Sequence, residues 1–357
     1  METDVLGEPY QQVTLDLDPD DEGACVATLI VRRADAPTSR AVLYVHGFVD
    51  YFFQTHLADF YVERGYDFYA LDLRKHGRSL RPHQTPNFCR DMTDYFAEIS
   101  EAVRVIRDQD GHTEVLLNGH STGGLTAALW ANDVRGQGLV QALFLNSPFF
   151  EFNEAWLVRR GVSPVIQRAG LARPYAKLPQ GLGSVYGRSL HRDHHGEWEY
   201  NLAWKPLAGY PIRAGWVRAA AFAHRSVHAG LAIDVPVLVA YSARSYRGRG
   251  FTDAAHHADS VLNVAHMAKF SPRLGRHVTM VQIEGGKHDL TLSPAYARAQ
   301  LFSEVGRWLG AYFGDDYREN LALAPVRPSQ AGLTGAESGL APHDAGYAGV
   351  DAAGGEE

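Results

Sequence analysis

Two cysteines, Cys25 and Cys89, are all that a chain of 357 residues contains. So few cannot build a disulfide framework, and a reducing compartment is the better expectation. No apolar run approaches the roughly 20 residues needed to cross a bilayer. The N-terminal stretch carries acids where a secretory leader would have a basic and then an apolar segment. These absences predict a cytoplasmic protein without stable membrane insertion, leaving open a transient surface contact. A basic excess is missing too: the net charge is -7, which argues against a nucleic-acid footprint. No internal repeat is present, which removes solenoids and propellers. Beyond about residue 317 large apolar side chains nearly vanish. Residues 317–357 therefore cannot offset the entropy of ordering and are expected to form a disordered tail.

Ahead of that tail, apolar patterning alternates between strand and helix. Residues 12–17 and 25–32 read as a hairpin around Asp20-Asp21-Glu22-Gly23. Short apolar runs at 41–45, 67–71, 114–118, 139–146, 235–241 and 277–283 suit buried parallel strands. Helical spacing covers 51–64, 94–107, 122–132 and 295–312. Strands alternating with helices imply a parallel sheet with helices on both faces. The rhythm breaks between β-like segments at 148–233, which hold Trp156, Trp198, Trp204 and Trp216, four of the six tryptophans. This stretch reads as a mostly helical cap inserted into a core made of 1–147 and 234–316, over the sheet edge where ligands bind.

Three short motifs carry chemistry. Gly119-His120-Ser121-Thr122-Gly123 lies between the apolar run Val115-Leu116-Leu117 and a helical segment. Strand, tight turn and helix are what a nucleophile elbow needs, with the glycines permitting a sharp reversal around an exposed serine. His46-Gly47-Phe48 ends the run 41–45. It shapes a turn whose Phe48 amide, with that of Thr122, would face a developing oxyanion; the His46 side chain itself is expected to pack that turn. Gly285-Gly286-Lys287-His288-Asp289 follows the last strand, where a general base comes in this chain order, and selects His288 among 17 histidines. The acid is less local. No carboxylate directly follows the run 235–241, and the first candidates are Asp253 and Asp259. Asp259 is favoured, because it opens a loop running into a helix; Asp289, next to the base, cannot easily bend back onto its imidazole.

Together with Asp72-Leu73-Arg74-Lys75-His76-Gly77-Arg78-Ser79, these motifs resemble the monoacylglycerol lipase, lysophospholipase and serine aminopeptidase branch of the α/β-hydrolases, over about residues 10–313. The resemblance implies an α/β-hydrolase fold, a nucleophile at Ser121, a base at His288 and oxyanion amides at Phe48 and Thr122. It would put the acid near Ser245, where none stands. The chain looks as if a loop from 242 to about 257 had been inserted, with the acid beyond it.

A small ester or lipid-like molecule is the expected substrate. No organic cofactor and no metal are expected. The histidines of His191-Arg192-Asp193-His194-His195 and of His256-His257 read as solvated surface rather than ligands. A serine aminopeptidase would need cap carboxylates for a substrate amine, and Glu151, Glu154, Glu197 and Glu199 keep that reading open. Carbon–carbon bond hydrolysis on the same scaffold, or a non-catalytic binding homologue, are further alternatives. The oligomeric state is not legible.

Overall fold

The computed structural model describes residues 1–153, 168, 170–178, 183–248 and 250–313. Its centre is one nine-stranded sheet ordered β1-β2-β3-β5-β4-β6-β7-β8-β9. Glu2–Thr3 (β1), Gln11–Asp20 (β2) and Gly23–Arg32 (β3) form an antiparallel border, and β3 meets Asp67–Asp72 (β5) antiparallel. From β5 onward every pairing is parallel, through Arg40–Val45 (β4), Glu114–His120 (β6), Ala142–Asn146 (β7), Val237–Ser242 (β8) and Val278–Ile283 (β9).

Successive strand residues face opposite sides of a sheet. Every residue of β5, β7 and β8 is buried, so both faces there are covered. Thr55–Val62 (α1) meets the closing helix through Phe60 and Phe302, whose rings stack at 4.6 Å. Phe96–Arg104 (α2) meets Thr122–Asp133 (α3) where Trp130 Nε1 donates to Ser100 Oγ at 2.9 Å. The chain is thus an α/β-hydrolase in architecture, a mostly parallel sheet clad in helices.

Two expected helices differ in detail. The segment 51–64 is helical only from Thr55, because Asp72 Oδ1 and Gln54 Oε1 take the backbone N–H groups of Phe52 and Phe53. The segment 94–107 is three pieces. It starts early at Met92, where Asp91 and Asp94 cap each other's backbone, and it ends in a π turn at Val105–Gln109.

Between β7 and β8 the chain leaves the sheet and carries Val185–Leu190 (α4) and Ala214–Ala229 (α5). Val264–Phe270 (α6) lies between β8 and β9, and Ala295–Phe313 (α7) closes the order. Trp156, Glu154 and the tail expected over 317–357 lie outside the described residues. Among those described, no helix is long and apolar enough to cross a membrane. Cys25 and Cys89 are both buried and unbridged.

Candidate active site

β6 ends at His120 and α3 begins at Thr122, so a single residue, Ser121, makes the reversal. Its backbone sits at φ 52, ψ -116, a region costly for any residue with a Cβ. The flanking glycines allow it. A Cβ on Gly119 would lie 2.7 Å from the Gly123 carbonyl oxygen, and one on Gly123 would lie 2.3 Å from that of His46. The second contact brings the end of β4, with His46-Gly47-Phe48, against the start of α3.

Ser121 Oγ lies 2.9 Å from His288 Nε2, and His288 Nδ1 lies 2.9 Å from Asp259 Oδ2. His288 and Asp259 are buried. A carboxylate on Nδ1 favours the tautomer that leaves Nε2 as an acceptor for the serine hydroxyl. The other carboxylate oxygen of Asp259 accepts from the amides of Val261 and Leu262, each at 2.8 Å, which fixes its orientation.

The position of Asp259 explains the gap in the sequence pattern. Its N–H donates to the Arg244 carbonyl at 2.8 Å, and the Tyr246 N–H donates to its carbonyl at 2.7 Å. Ser245 and Asp259 therefore pair as a parallel bridge. The excursion after β8 returns on itself and delivers a carboxylate beside Ser245. Asp253 does not reach the site: its side chain is 89% exposed and lies 3.8 Å from His257.

Asp289 faces the other way. Its Oδ1 accepts from Asn146 Nδ2, Thr291 N–H and Thr291 Oγ, and its Oδ2 accepts from Gln54 Nε2. Burial alone would raise its pKa, but His120 and the Thr291 bonds bring it below the usual carboxylate range. It thereby ties the loop carrying His288 to the end of β7 and the start of α1.

The amides of Phe48 and Thr122 have no acceptor among the described residues. His46 holds the turn beneath them. Its Nδ1 donates to the Gly47 carbonyl at 2.8 Å and its Nε2 accepts from Leu73 N–H at 3.0 Å, which links the ends of β4 and β5. His120 donates Nδ1–H to the Asn146 carbonyl at 3.1 Å, and its ring lies 5.0 Å from that of His288. Burial lowers the pKa of His120. Tyr186 stands edge-on to His288 at 5.5 Å and accepts from the Asp289 N–H. On the other flank Trp216 of α5 lies against Phe48 at 4.1 Å and parallel to Phe149 at 6.1 Å.

Asp50, His120 and Asp289 present ligand atoms within 4.8 Å of one another, the one such grouping among the described residues. The cationic place beside it is taken by Lys205, whose Nζ lies 2.5 Å from Asp50 Oδ1. The histidines of 191–195 form no comparable set: His191 packs on Tyr200 and His195 stacks on Phe251. Sequence reading missed Asn146, Gln54, Asp50 and Lys205. Only Asn146 left a local trace, as a polar residue closing an otherwise apolar strand.

The family model Hydrolase_4, described as serine aminopeptidase, S33, matches residues 36–294. No curated protein matches the chain by sequence. Solved structures share its fold at low identity. A soluble variant of monoglyceride lipase from Saccharomyces cerevisiae, in complex with a substrate analogue, superposes with a TM-score of 0.62 at 14% identity, covering 83% of this chain and 94% of that one. The monoacylglycerol lipase of Paleococcus ferrophilus gives 0.57 at 16%, covering 85% and 99%. Est1E from Butyrivibrio proteoclasticus with bound ferulic acid gives 0.53 at 16%, covering 84% and 100%.

Proposed function

The chain belongs to the Hydrolase_4, serine aminopeptidase S33 family of α/β-hydrolases, and we propose that it is a serine hydrolase that cleaves carboxylic esters through an acyl-enzyme on Ser121. The observation that carries this reading is the continuous hydrogen-bonded chain from Asp259 through His288 to Ser121. In the first step Ser121 Oγ attacks the ester carbonyl and its proton passes to His288 Nε2. The carbonyl oxygen gains the negative charge and meets the Phe48 and Thr122 amides, which have no other acceptor to give up. As the tetrahedral centre collapses, the C–O bond to the alcohol breaks and His288 returns the proton to the departing oxygen. A water then attacks the acyl-enzyme, with His288 as base, and frees the acid and Ser121. Asp259 holds the imidazole and offsets its positive charge at each protonation.

An ester of an apolar acyl group fits better than a peptide with a free amine. The wall beside Phe48 is built from Trp216 and Phe149. Of the carboxylates that could hold an amine, Glu197 pairs with Arg298 and Glu199 with Arg192, and both are largely exposed. Glu151 sits by His224 and His228. The stretch 148–233, which supplies Trp216, serves in this reading as a cap over the site. The unbridged cysteines suit a cytoplasmic location.

The test is hydrolysis of p-nitrophenyl esters from short to long acyl chains by the parent, Ser121→Ala and Asp259→Asn. Turnover lost in Ser121→Ala is the expected result. Folded parent protein that cleaves none of these esters but releases N-terminal residues from aminoacyl anilides would replace the reading with the aminopeptidase one.

A further inference from the structure

The turn bearing the Phe48 amide is under strain one residue later. Val49 adopts φ 52, and a side chain branched at Cβ is a genuine outlier in that left-handed region. Such a conformation persists only where its surroundings fix the chain on both sides. On the N-terminal side, His46 and the close approach of Gly47 to Ser121 do so. On the C-terminal side stands Asp50, 2% exposed, and its partner comes from a distant part of the chain: Lys205, 6% exposed, reached 155 residues later.

Lys205 is enclosed. Its Nζ lies 5.4 Å from the ring centre of Phe53, 5.7 Å from Tyr200 and 5.9 Å from Tyr186. The segment around it is knitted to the residues just after the turn twice more, by Asn201 N–H donating to Tyr51 Oη at 2.7 Å and by the rings of Phe53 and Tyr200 at 5.1 Å. Asp289, the other carboxylate nearby, already has four hydrogen bonds. A buried ion pair costs desolvation at both ends and is weak evidence of a gain in stability. Hydrophobic contacts alone would dock the segment. What the charge pair adds is a fixed point for the residue following Val49.

We propose that Lys205 is a positioning residue for oxyanion stabilisation: its ion pair with Asp50 holds the strained turn 47–50 so that the Phe48 N–H points at the reacting carbonyl. The inference rests on the ester-hydrolase reading of the same site. Neither Lys205 nor Asp50 touches substrate in this scheme. Their effect is on the transition state, where the oxyanion develops, and not on ground-state binding.

Lys205→Met alone would strand a buried carboxylate, so the decisive protein is the double variant Asp50→Asn/Lys205→Met, which removes both charges at nearly constant volume. It is assayed on a p-nitrophenyl ester beside the parent and Ser121→Ala, with phenylboronic acid as a tetrahedral-adduct inhibitor. The expected result is kcat lower by about 10–100-fold with KM within about twofold, the boronic acid constant weakened in step, and a thermal midpoint near the parent's; the effect stays below the roughly 100–1,000-fold of losing an oxyanion donor outright, because the Phe48 amide is misaimed and not removed. Parental kcat in the double variant, or a loss confined to KM with the boronic acid constant unchanged, overturns the clamp. Turnover lost in Ser121→Ala but kept in the double variant overturns the clamp alone. Turnover surviving in Ser121→Ala overturns the hydrolase reading and the clamp with it.

Discussion

His288 Nε2 and Ser121 Oγ stand 2.9 Å apart although 167 residues of sequence separate them. The contact exists because Ser121 ends a central strand at a forced reversal, while the loop after β9 is pinned at Asp289 to Asn146 and Gln54. Replacing the serine separates its chemistry from its backbone. Ser121→Ala is expected to lower kcat by at least about 1,000-fold. Ser121→Gly should be equally inactive but more stable by about 1 kcal/mol, since glycine relieves the positive φ. Urea unfolding of the two variants checks the difference: equal midpoints would mean the elbow stores no strain.

Asp259→Asn keeps the side chain's shape but presents an amide to His288, which favours the wrong tautomer. A fall in kcat of about 10,000-fold is expected, with little change in KM. Asp253→Asn should behave as the parent, because that carboxylate is exposed beside His257 while Asp259 holds the Nδ1 of His288. Steady-state kinetics on one ester suffice, and the reverse ranking would transfer the role of acid.

Asp289→Ala tests the neighbouring aspartate as a structural tie. It would leave buried donors of Asn146, Thr291 and Gln54 unmatched, each carrying a desolvation penalty. A loss of about 3 kcal/mol in unfolding free energy is expected, read by denaturant titration. A variant as stable as the parent would show that these bonds are replaceable.

Acid should weaken the fold through His224. This residue is buried against Phe149 and Phe152, and burial lowers its pKa to about 3. The unfolded chain, titrating near the ordinary histidine value of 6.5, binds more protons between those limits. The stabilising contribution is therefore present above about pH 6.5 and lost as pH falls toward 3, by up to about 1.4 kcal/mol per unit. His224→Phe is expected to flatten this slope relative to the parent, as measured by thermal midpoints from pH 7 to 5. Parallel profiles would assign the acid sensitivity elsewhere.

Much of this was readable in the residues. The strands β4 through β8 were visible because a strand covered on both faces is written as an apolar run; β9, expected to be buried as well, lies at the sheet's edge with only Ile283 buried. Ser121 and the Phe48 turn were visible because their chemistry is local: the glycines that permit the reversal sit within the motif itself. Asp259 stayed ambiguous against Asp253 because sequence does not show where an excursion returns. Lys205, Asp50 and Gln54 left no signal at all. Their roles come from partners more than a hundred residues away, and a single buried lysine looks in sequence like any surface one. The helix expected at 51–64 began late for a similar reason, since its first amides are claimed by side chains of Asp72 and Gln54.

The bridge between Ser245 and Asp259 has a bearing on how this fold can change. Because the ends of the excursion are stapled to each other, its contour length is uncoupled from the place of the carboxylate. Changes in length between Tyr246 and Ala258 would leave Asp259 at its 2.9 Å from His288, at the expense of outer contacts such as Phe251 on His195. The loop is in effect a socket beside the active site, open to evolutionary or engineered grafting.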